Sequence, residues 1–259
     1  MKVKTTIEDG IATIVIDRPE VRNAIDLDTV AGLRGAFEEA ASAGVGAAVL
    51  AGGGNVFCAG ADLAFVRKAL EGDATSVLGP LVDTLHGLLK WMRTLPFPIV
   101  ASIEGAAAGA GMGLALAADT RIAGTSAVFV TAYFGIGASP DGGVSYHLTR
   151  SVGAARATEL VMSNRPLRAQ ELLSLGLVER VVDDGQALAA ARGRARELAS
   201  IPPLALVRLR ALVDAAPTHG IDDHLDAERE AIATLWQTED FREGISAFLE
   251  RRSPQFTGR

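Results

Sequence analysis

Two glycine-rich segments, each lying between a short apolar run and a helix-like pattern, constrain the fold of this chain most. The first apolar run, residues 47–51, leads into the segment 52–60, and the second, residues 99–103, leads into the segment 105–113. A largely apolar run of five residues is typical of a strand that is buried on both faces. Glycines after such a strand allow a sharp turn into the next helix. The two segments therefore predict an α/β core.

The rest of the chain adds a hairpin before this core and a helical region after it. Alternating polar and apolar residues flank Asp9-Gly10, a strong hairpin signal. After Pro140 the pattern is largely helical. We therefore predict a core over residues 1–198 and a C-terminal helical oligomerisation segment over residues 199–259. Apolar spacing also predicts a helix that Asp26 or Asp28 caps and that runs to about residue 41. Further helices are predicted over residues 63–69 and roughly 80–94, with the proline at position 80 in a first turn.

The composition indicates a globular protein and argues against several kinds of partner. Hydrophobic residues make up 49% of the 259 residues, which is enough for one sizeable core. The net charge is −6 without long runs of Lys or Arg, so we expect no nucleic-acid partner. The single Cys58 fits a reducing compartment. Residues 1–10 lack the apolar region of a signal peptide, and Glu104 interrupts the most apolar stretch, so we expect a cytoplasmic protein without a membrane partner.

Both glycine-rich segments also have simpler structural explanations. Backbone N–H groups that follow Gly60 and Gly109 would point into a space where the helix dipole favours negative charge. From spacing alone, the first segment is more simply an ordinary turn with Asp62 as a helix cap, and the second is close packing of a helix on a strand. A dinucleotide-binding fingerprint fits poorly, because Gly109, Gly111 and Gly113 follow the spacing GxGxG rather than GxGxxG.

The order of the motifs along the chain carries a family resemblance. They are DRP at 17–19, FCAGADL at 57–63, EGAAAGAG at 104–111, PDGG at 140–143 and the ending RRSPQFTGR. Together they resemble the crotonase, or enoyl-CoA hydratase/isomerase, superfamily over nearly the whole chain, and are most similar to its 1,2-epoxyphenylacetyl-CoA isomerase subgroup. The resemblance implies an α/β fold: a crotonase (ClpP-like) spiral of ββα turns with an α-helical C-terminal trimerisation region. It also implies a homotrimer or dimer of trimers that binds coenzyme A as part of an acyl-CoA substrate, with no permanently bound cofactor or metal.

The resemblance also assigns roles to individual positions. It implies that the backbone N–H groups of Ala61 and Ala110 form an oxyanion hole for the enolate of a thioester, where each fixed donor contributes about 3 kcal/mol. The implied CoA-binding positions are Val21, Arg22, Ala24, Ala59 and Ala61, with Phe248 and Arg251 reaching the CoA of a neighbouring subunit. From local sequence alone, Arg251 is equally well a solvated residue at a helix end.

The chain departs from the hydratases at both of their catalytic glutamates, which fall at Gly113 and Tyr133. Asp141 is the remaining candidate base, and the isomerase subgroup carries a proton-shuttling aspartate at this position. Local sequence alone favours a helix-capping role for Asp141, because Ser-Pro-Asp-Gly-Gly is a good turn. With the resemblance included, we predict an acyl-CoA isomerase that shifts a double bond, or opens an epoxide-type ring, through a stabilised enolate and an aspartate base.

The same residues are compatible with three other functions. One is an enoyl-CoA hydratase, a lyase, that works without two glutamates. Another is nucleophilic chemistry through Asp141 and His86, which fall near the nucleophile and base of 4-chlorobenzoyl-CoA dehalogenases, or thioester hydrolysis. A third is a non-catalytic acyl-CoA-binding protein. His86 alone is more simply a structural histidine, and Tyr133 is expected in the pocket wall with its hydroxyl turned to solvent or substrate.

Overall fold

Two β-sheets form the centre of the chain over residues 2–259, which are the residues that this computed structural model describes. The strands are β1 (Val3–Glu8), β2 (Ile11–Ile16), β3 (Ala47–Gly52), β4 (Ile99–Ile103), β5 (Ala106–Ala108), β6 (Thr120–Gly124), β7 (Val128–Val130), β8 (Leu167–Arg168) and β9 (Arg180–Val182). One sheet has the order β1-β2-β3-β4-β6-β9 and the other the order β5-β7-β8. Strand β1 pairs with β2 and β7 with β8 in antiparallel fashion, and the remaining pairs are parallel.

The two predicted strands that lead into the glycine-rich segments are confirmed, and they lie in the middle of the larger sheet. Strand β3 pairs in parallel with β4, and every residue of β4 is buried. Helices and sheet cover both faces of such a strand, which explains why four of the five residues of β4 are apolar and why Ser102 is buried with them. The predicted hairpin is also confirmed, since Asp9 and Gly10 both adopt positive φ between β1 and β2, as a tight hairpin turn requires.

Helices cover the sheets and continue to the C-terminus. They are α1 (Leu27–Ser42), α2 (Leu63–Ala69), α3 (Ala74–Met92), α4 (Ala110–Leu116), α5 (Val144–Val152), α6 (Ala154–Ser163), α7 (Ala169–Ser174), α8 (Ala187–Leu198), α9 (Pro203–Ala215), α10 (Ile221–Leu235) and α11 (Glu239–Glu250). None of these helices within residues 2–259 is both long and apolar enough to cross a membrane.

Helix α3 differs from the prediction, which started it at Pro80. The helix begins at Ala74, and Pro80 lies in its interior. The reason is Asp73, whose carboxylate accepts hydrogen bonds from the backbone N–H groups of Thr75 and Ser76 and so caps the helix earlier. The extra turns at the start of α3 place Leu78 in the wall of a cavity that the helix shares with both glycine-rich segments.

The C-terminal helices are joined to the sheet by one buried arginine. Arg210 in α9 is 4% exposed and donates to both carboxylate oxygens of Asp119, at 2.8 and 2.6 Å. It also donates to the carbonyl oxygens of Leu95 and Phe97 just before β4. Helix α8 ends at Leu198, so the predicted division after residue 198 falls between helices. That division remains a prediction, and residue 1 of its first range lies outside the described residues.

Candidate active site

A cavity of about 360 Å³ brings the two glycine-rich segments together. Ala59, Gly60 and Ala61 line it from the first segment, and Gly109 and Ala110 line it from the second. Helices α2 and α3 supply an apolar wall that includes Leu63, Val66, Leu78, Leu81, Val82 and Leu85. Tyr133 and Asp141 also line it. An apolar cavity with a few polar groups at one end is typical of a small-molecule site.

The backbone N–H groups of Ala61 and Ala110, which both line this cavity, have no acceptor within residues 2–259. On either side of Ala61, the N–H of Ile25 donates to Gly60 and the N–H of Asp62 donates to Ile25, which leaves the amide of Ala61 between them unused. Ala110 is the first residue of α4, so its N–H precedes the hydrogen bonds of the helix. The predicted pair of amide donors therefore lies in one cavity.

Glycine at position 60 is required for this arrangement. Gly60 has φ of +93°, and a Cβ atom built on it would lie 2.7 Å from the carbonyl oxygen of Ala108. The two segments therefore approach each other at backbone distance, which only glycine allows here. Cys58, two residues before Gly60 in the first segment, is fully buried, and burial raises the pKa of its thiol to about 12. Cys58 is thus a packing residue and not a nucleophile at neutral pH.

An ion-pair cluster that the sequence analysis missed supports the first segment. Arg18 donates to Oδ2 of Asp62 at 3.0 Å and lies 3.1 Å from Oδ2 of Asp26. Oδ1 of Asp62 accepts hydrogen bonds from the first N–H groups of α2, so the predicted cap is confirmed. Arg18 is 9% exposed, and it also donates to the carbonyl oxygen of Ala24 at 2.6 Å. The cluster therefore fixes the loop immediately beside Ala61.

Replacement of Arg18 by methionine is expected to lower the free energy of unfolding by about 3–5 kcal/mol, because it leaves the buried carboxylate of Asp62 without its cation and leaves Asp26 paired with Lys2. Asp26 and Asp62 have side chains that are 12% and 11% exposed, so solvent does little to replace the guanidinium. Chemical denaturation measures the loss. The matched control is Arg194→Met, which breaks only an exposed pair with Glu197 and is expected to cost under about 1 kcal/mol. Equal losses in the two variants would contradict this role for Arg18.

Asp141 lies in the turn before α5, and its carboxylate is bound by a tyrosine. The hydroxyl of Tyr133 donates to Oδ1 of Asp141 at 2.8 Å and lies 3.1 Å from the backbone oxygen of the same residue. Tyr133 is 6% exposed. Burial and the charge of Asp141 raise the pKa of the Tyr133 phenol, so it remains a protonated donor.

These contacts correct two expectations about the same turn. The hydroxyl of Tyr133 is not turned to solvent or substrate, because it is bound to Asp141. Asp141 also does not cap α5, since Gly143 is the residue at the N-cap and the carboxylate of Asp141 accepts no N–H group of that helix. Two successive glycines with positive φ, Gly142 and Gly143, end the turn instead and leave the carboxylate at the cavity.

His86 contacts the same turn through the backbone and not through the carboxylate. Its Nε2 atom accepts a hydrogen bond from the N–H of Gly142 at 3.2 Å. His86 lines a second cavity of about 410 Å³ behind the turn, together with His147. Burial, with the positive charge of Arg93, lowers the pKa of His147 to about 4. His86 and Asp141 are thus neighbours, but the histidine is hydrogen-bonded to the backbone of the turn and not to the Asp141 carboxylate.

Gly113 lies beneath this turn. A Cβ atom built on Gly113 would lie 2.2 Å from the carbonyl oxygen of Gly142. Helix α4, which starts at Ala110, therefore packs directly against the backbone that follows Asp141. The turn that carries Asp141 can occupy this position only because residue 113 has no side chain.

The positions expected to bind CoA fall into two groups. Arg22 lies in a loop next to Ala59, whose N–H donates to the carbonyl oxygen of Arg22 at 3.0 Å. The buried Asn23 ties this loop to the first glycine-rich segment, because its Nδ2 donates to the carbonyl oxygens of Gly53 and Val56. The second group lies elsewhere: Phe248 is 82% exposed on α11, and Arg251 is the exposed cap at its end.

Comparisons with known proteins agree on one family over nearly the whole chain. The sequence profile described as enoyl-CoA hydratase/isomerase matches residues 6–259. A probable enoyl-CoA hydratase of Rhodobacter capsulatus is 38% identical over 99% of this chain and 98% of its own. A 1,2-epoxyphenylacetyl-CoA isomerase of Escherichia coli is 36% identical over 98% of this chain and 97% of its own.

The solved structures give the same result for the fold. The crystal structure of an enoyl-CoA hydratase from Polaromonas superposes with a TM-score of 0.92 at 37% sequence identity, covering 98% of this chain and 99% of that one. The α/β fold with eleven helices in residues 2–259 is therefore the crotonase fold. The chain belongs to the enoyl-CoA hydratase/isomerase family of the crotonase superfamily.

Proposed function

We propose that the protein is an acyl-CoA isomerase that shifts a carbon–carbon double bond, or opens an epoxide-type ring, in a CoA thioester. One observation carries the proposal: among the described residues that line the cavity, Asp141 alone has a carboxylate, and it shares that cavity with the free amides of Ala61 and Ala110. One base and one oxyanion hole are enough to move a proton between two carbons of an activated thioester.

The two amides supply the electrostatic part of the reaction. The thioester carbonyl oxygen accepts hydrogen bonds from the N–H groups of Ala61 and Ala110. When a proton leaves the substrate, negative charge collects on this oxygen, and each fixed donor stabilises it by about 3 kcal/mol. The donors are already oriented by Gly60 and by the start of α4, so no reorganisation is needed during the reaction.

Asp141 supplies the proton transfer. With a 3-enoyl thioester, the carboxylate takes a proton from C2, and the electron pair of that C–H bond forms a dienolate over the carbonyl oxygen and C4. The carboxylic acid then returns the proton to C4, and the double bond comes to lie between C2 and C3. Nothing is added to the substrate or lost from it, so the step needs no further reactant.

Hydration fits these residues less well. Addition of water across a double bond needs a group that activates the water and a group that protonates the carbon. Gly113 has no side chain, the hydroxyl of Tyr133 is bound to Asp141, and Nε2 of His86 accepts a hydrogen bond from Gly142. The cavity therefore offers one carboxylate where a two-carboxylate mechanism needs two.

The substrate is an apolar acyl group carried by CoA. The wall from α2 and α3 is aliphatic, including Leu63, Leu78 and Leu81, so it suits a hydrocarbon chain or an aromatic ring better than a polar group. The CoA part lies along the loop of Val21, Arg22 and Ala24 and beside Ala59. Phe248 and Arg251 act on the CoA of a neighbouring subunit in a trimer, which accounts for their exposure in one chain.

The test uses the wild-type protein with a 3-enoyl-CoA and a 2-enoyl-CoA in separate cuvettes. We expect absorbance of the conjugated enoyl thioester to rise with the 3-enoyl substrate, and mass spectrometry to show a product of unchanged mass. A fall in absorbance with the 2-enoyl substrate and a gain of one water would replace isomerisation with hydration. Release of free CoA thiol, or a covalent acyl group trapped on Asp141, would indicate the hydrolytic or dehalogenase-like alternative.

A further inference from the structure

The carboxylate of Asp141 has two oxygens in different environments. Oδ1 accepts the hydrogen bond from Tyr133 at 2.8 Å. Oδ2 has no hydrogen-bond partner among residues 2–259. A carboxylate in this state has one oxygen committed to the protein and one available for chemistry, because an oxygen that already accepts a strong hydrogen bond is a weaker base.

The backbone of the turn is fixed as well, so the carboxylate has little freedom besides rotation of its own side chain. The N–H of Gly142 is bound by Nε2 of His86 at 3.2 Å, and the carbonyl of Gly142 lies against the bare backbone of Gly113. Rotation of the Asp141 side chain is then opposed by one contact, the hydroxyl of Tyr133. That hydroxyl is buried and stays protonated, so the contact persists over the working pH range.

We propose that Tyr133 is a positioning residue that holds Oδ1 of Asp141 and thereby reserves Oδ2 as the single atom that takes and returns the substrate proton. The inference rests on the proposed function of Asp141 as the base. A proton carried on one fixed oxygen returns to the substrate before the carboxylic acid can rotate and exchange with water. The hydroxyl of Tyr133 therefore keeps the transfer internal, while the ring of Tyr133 forms part of the cavity wall.

The test is Tyr133→Phe, which removes the hydroxyl and keeps the ring in the wall. We expect kcat to fall by about 10- to 100-fold, in line with the cost of a misplaced base, while KM stays within about two-fold of wild type. In D₂O, we expect the share of product that contains deuterium to rise, because the released carboxylic acid exchanges its proton. The matched control is Tyr146→Phe, the other tyrosine of the chain, which lines the second cavity and should behave as wild type.

The outcomes separate this inference from the proposed function. An inactive Asp141→Asn with a normal Tyr133→Phe, in both kcat and deuterium content, would overturn the inference alone. An active Asp141→Asn would overturn the proposed function and the inference with it. A purely structural Tyr133 would show kcat and KM changing together with a lowered Tm and unchanged deuterium content, and this too would overturn the inference. In support, Tyr133→Phe should cause no further loss in the Asp141→Asn background, because the two residues act as one unit.

Discussion

Asp141→Asn is expected to lower kcat for double-bond migration by about 1,000-fold, within the range that a positioned general base contributes. The asparagine keeps the size of the side chain and an oxygen that can accept from Tyr133, so the turn should keep its form. What it loses is the ability to take a proton from carbon. Transfer of deuterium from C2 to C4 of a C2-deuterated substrate in H₂O, followed by mass spectrometry, should be lost to the same degree as isomerisation.

The control for this variant is Asp73→Asn, which makes the same chemical change at a residue that does not line the cavity. Asp73 is exposed and caps α3, and asparagine caps a helix about as well as aspartate. We expect its activity and Tm to match those of the wild type. If Asp141→Asn kept more than about a tenth of the wild-type kcat while its fold was intact, another group would have to be the base, and the one-carboxylate mechanism would be wrong.

The elements that could be predicted from the sequence are those whose signal is local. The strand at residues 99–103 and the helix at residues 63–69 were predicted with the bounds that the structure has, because a buried run and a helical period are visible in one window. The early start of α3 depended on a cap, Asp73, that apolar spacing does not reveal. Strand β5 lies inside a segment of small residues, where sequence spacing indicates only a turn.

The backbone donors of the site could be predicted from the sequence, but the side-chain contacts that support the site could not. Its backbone donors follow from two glycine motifs, each of which is continuous in sequence. The contact of Arg18 with Asp62 joins residues 44 positions apart, and no period or motif in one sequence indicates such a pair. The bond from Tyr133 to Asp141 depends on how a turn of two glycines folds back, so the direction of the hydroxyl could be known only from the structure.

Gly113→Glu is expected to abolish isomerisation and to give no hydration, although it places a carboxylate where the hydratases carry one. The reason is the turn that holds Asp141. Any Cβ at position 113 would lie 2.2 Å from the carbonyl oxygen of Gly142, so the turn must move by about 1 Å to restore an ordinary contact. A displacement of that size can reduce the rate of an oriented reaction by about 100-fold. The glutamate also brings a charge into a fully buried position of α4, which adds to the cost of overpacking.

The smaller change Gly113→Ala isolates the displacement from the charge. We expect it to lower kcat by at least about 10-fold, with a loss of about 1–3 kcal/mol in the free energy of unfolding, the usual cost of overpacking. The matched control is Gly87→Glu in α3, where an added Cβ would meet nothing within 4 Å and where the helix should gain slightly in stability.

Both substrates, the 3-enoyl and the 2-enoyl thioester, are assayed for every variant. Hydration by Gly113→Glu would mean that the turn yields and that a carboxylate at position 113 and Asp141 can share the cavity. If no hydration is seen, the glycine at position 113 and the position of the Asp141 turn depend on each other, and the cavity can hold only one of the two carboxylates.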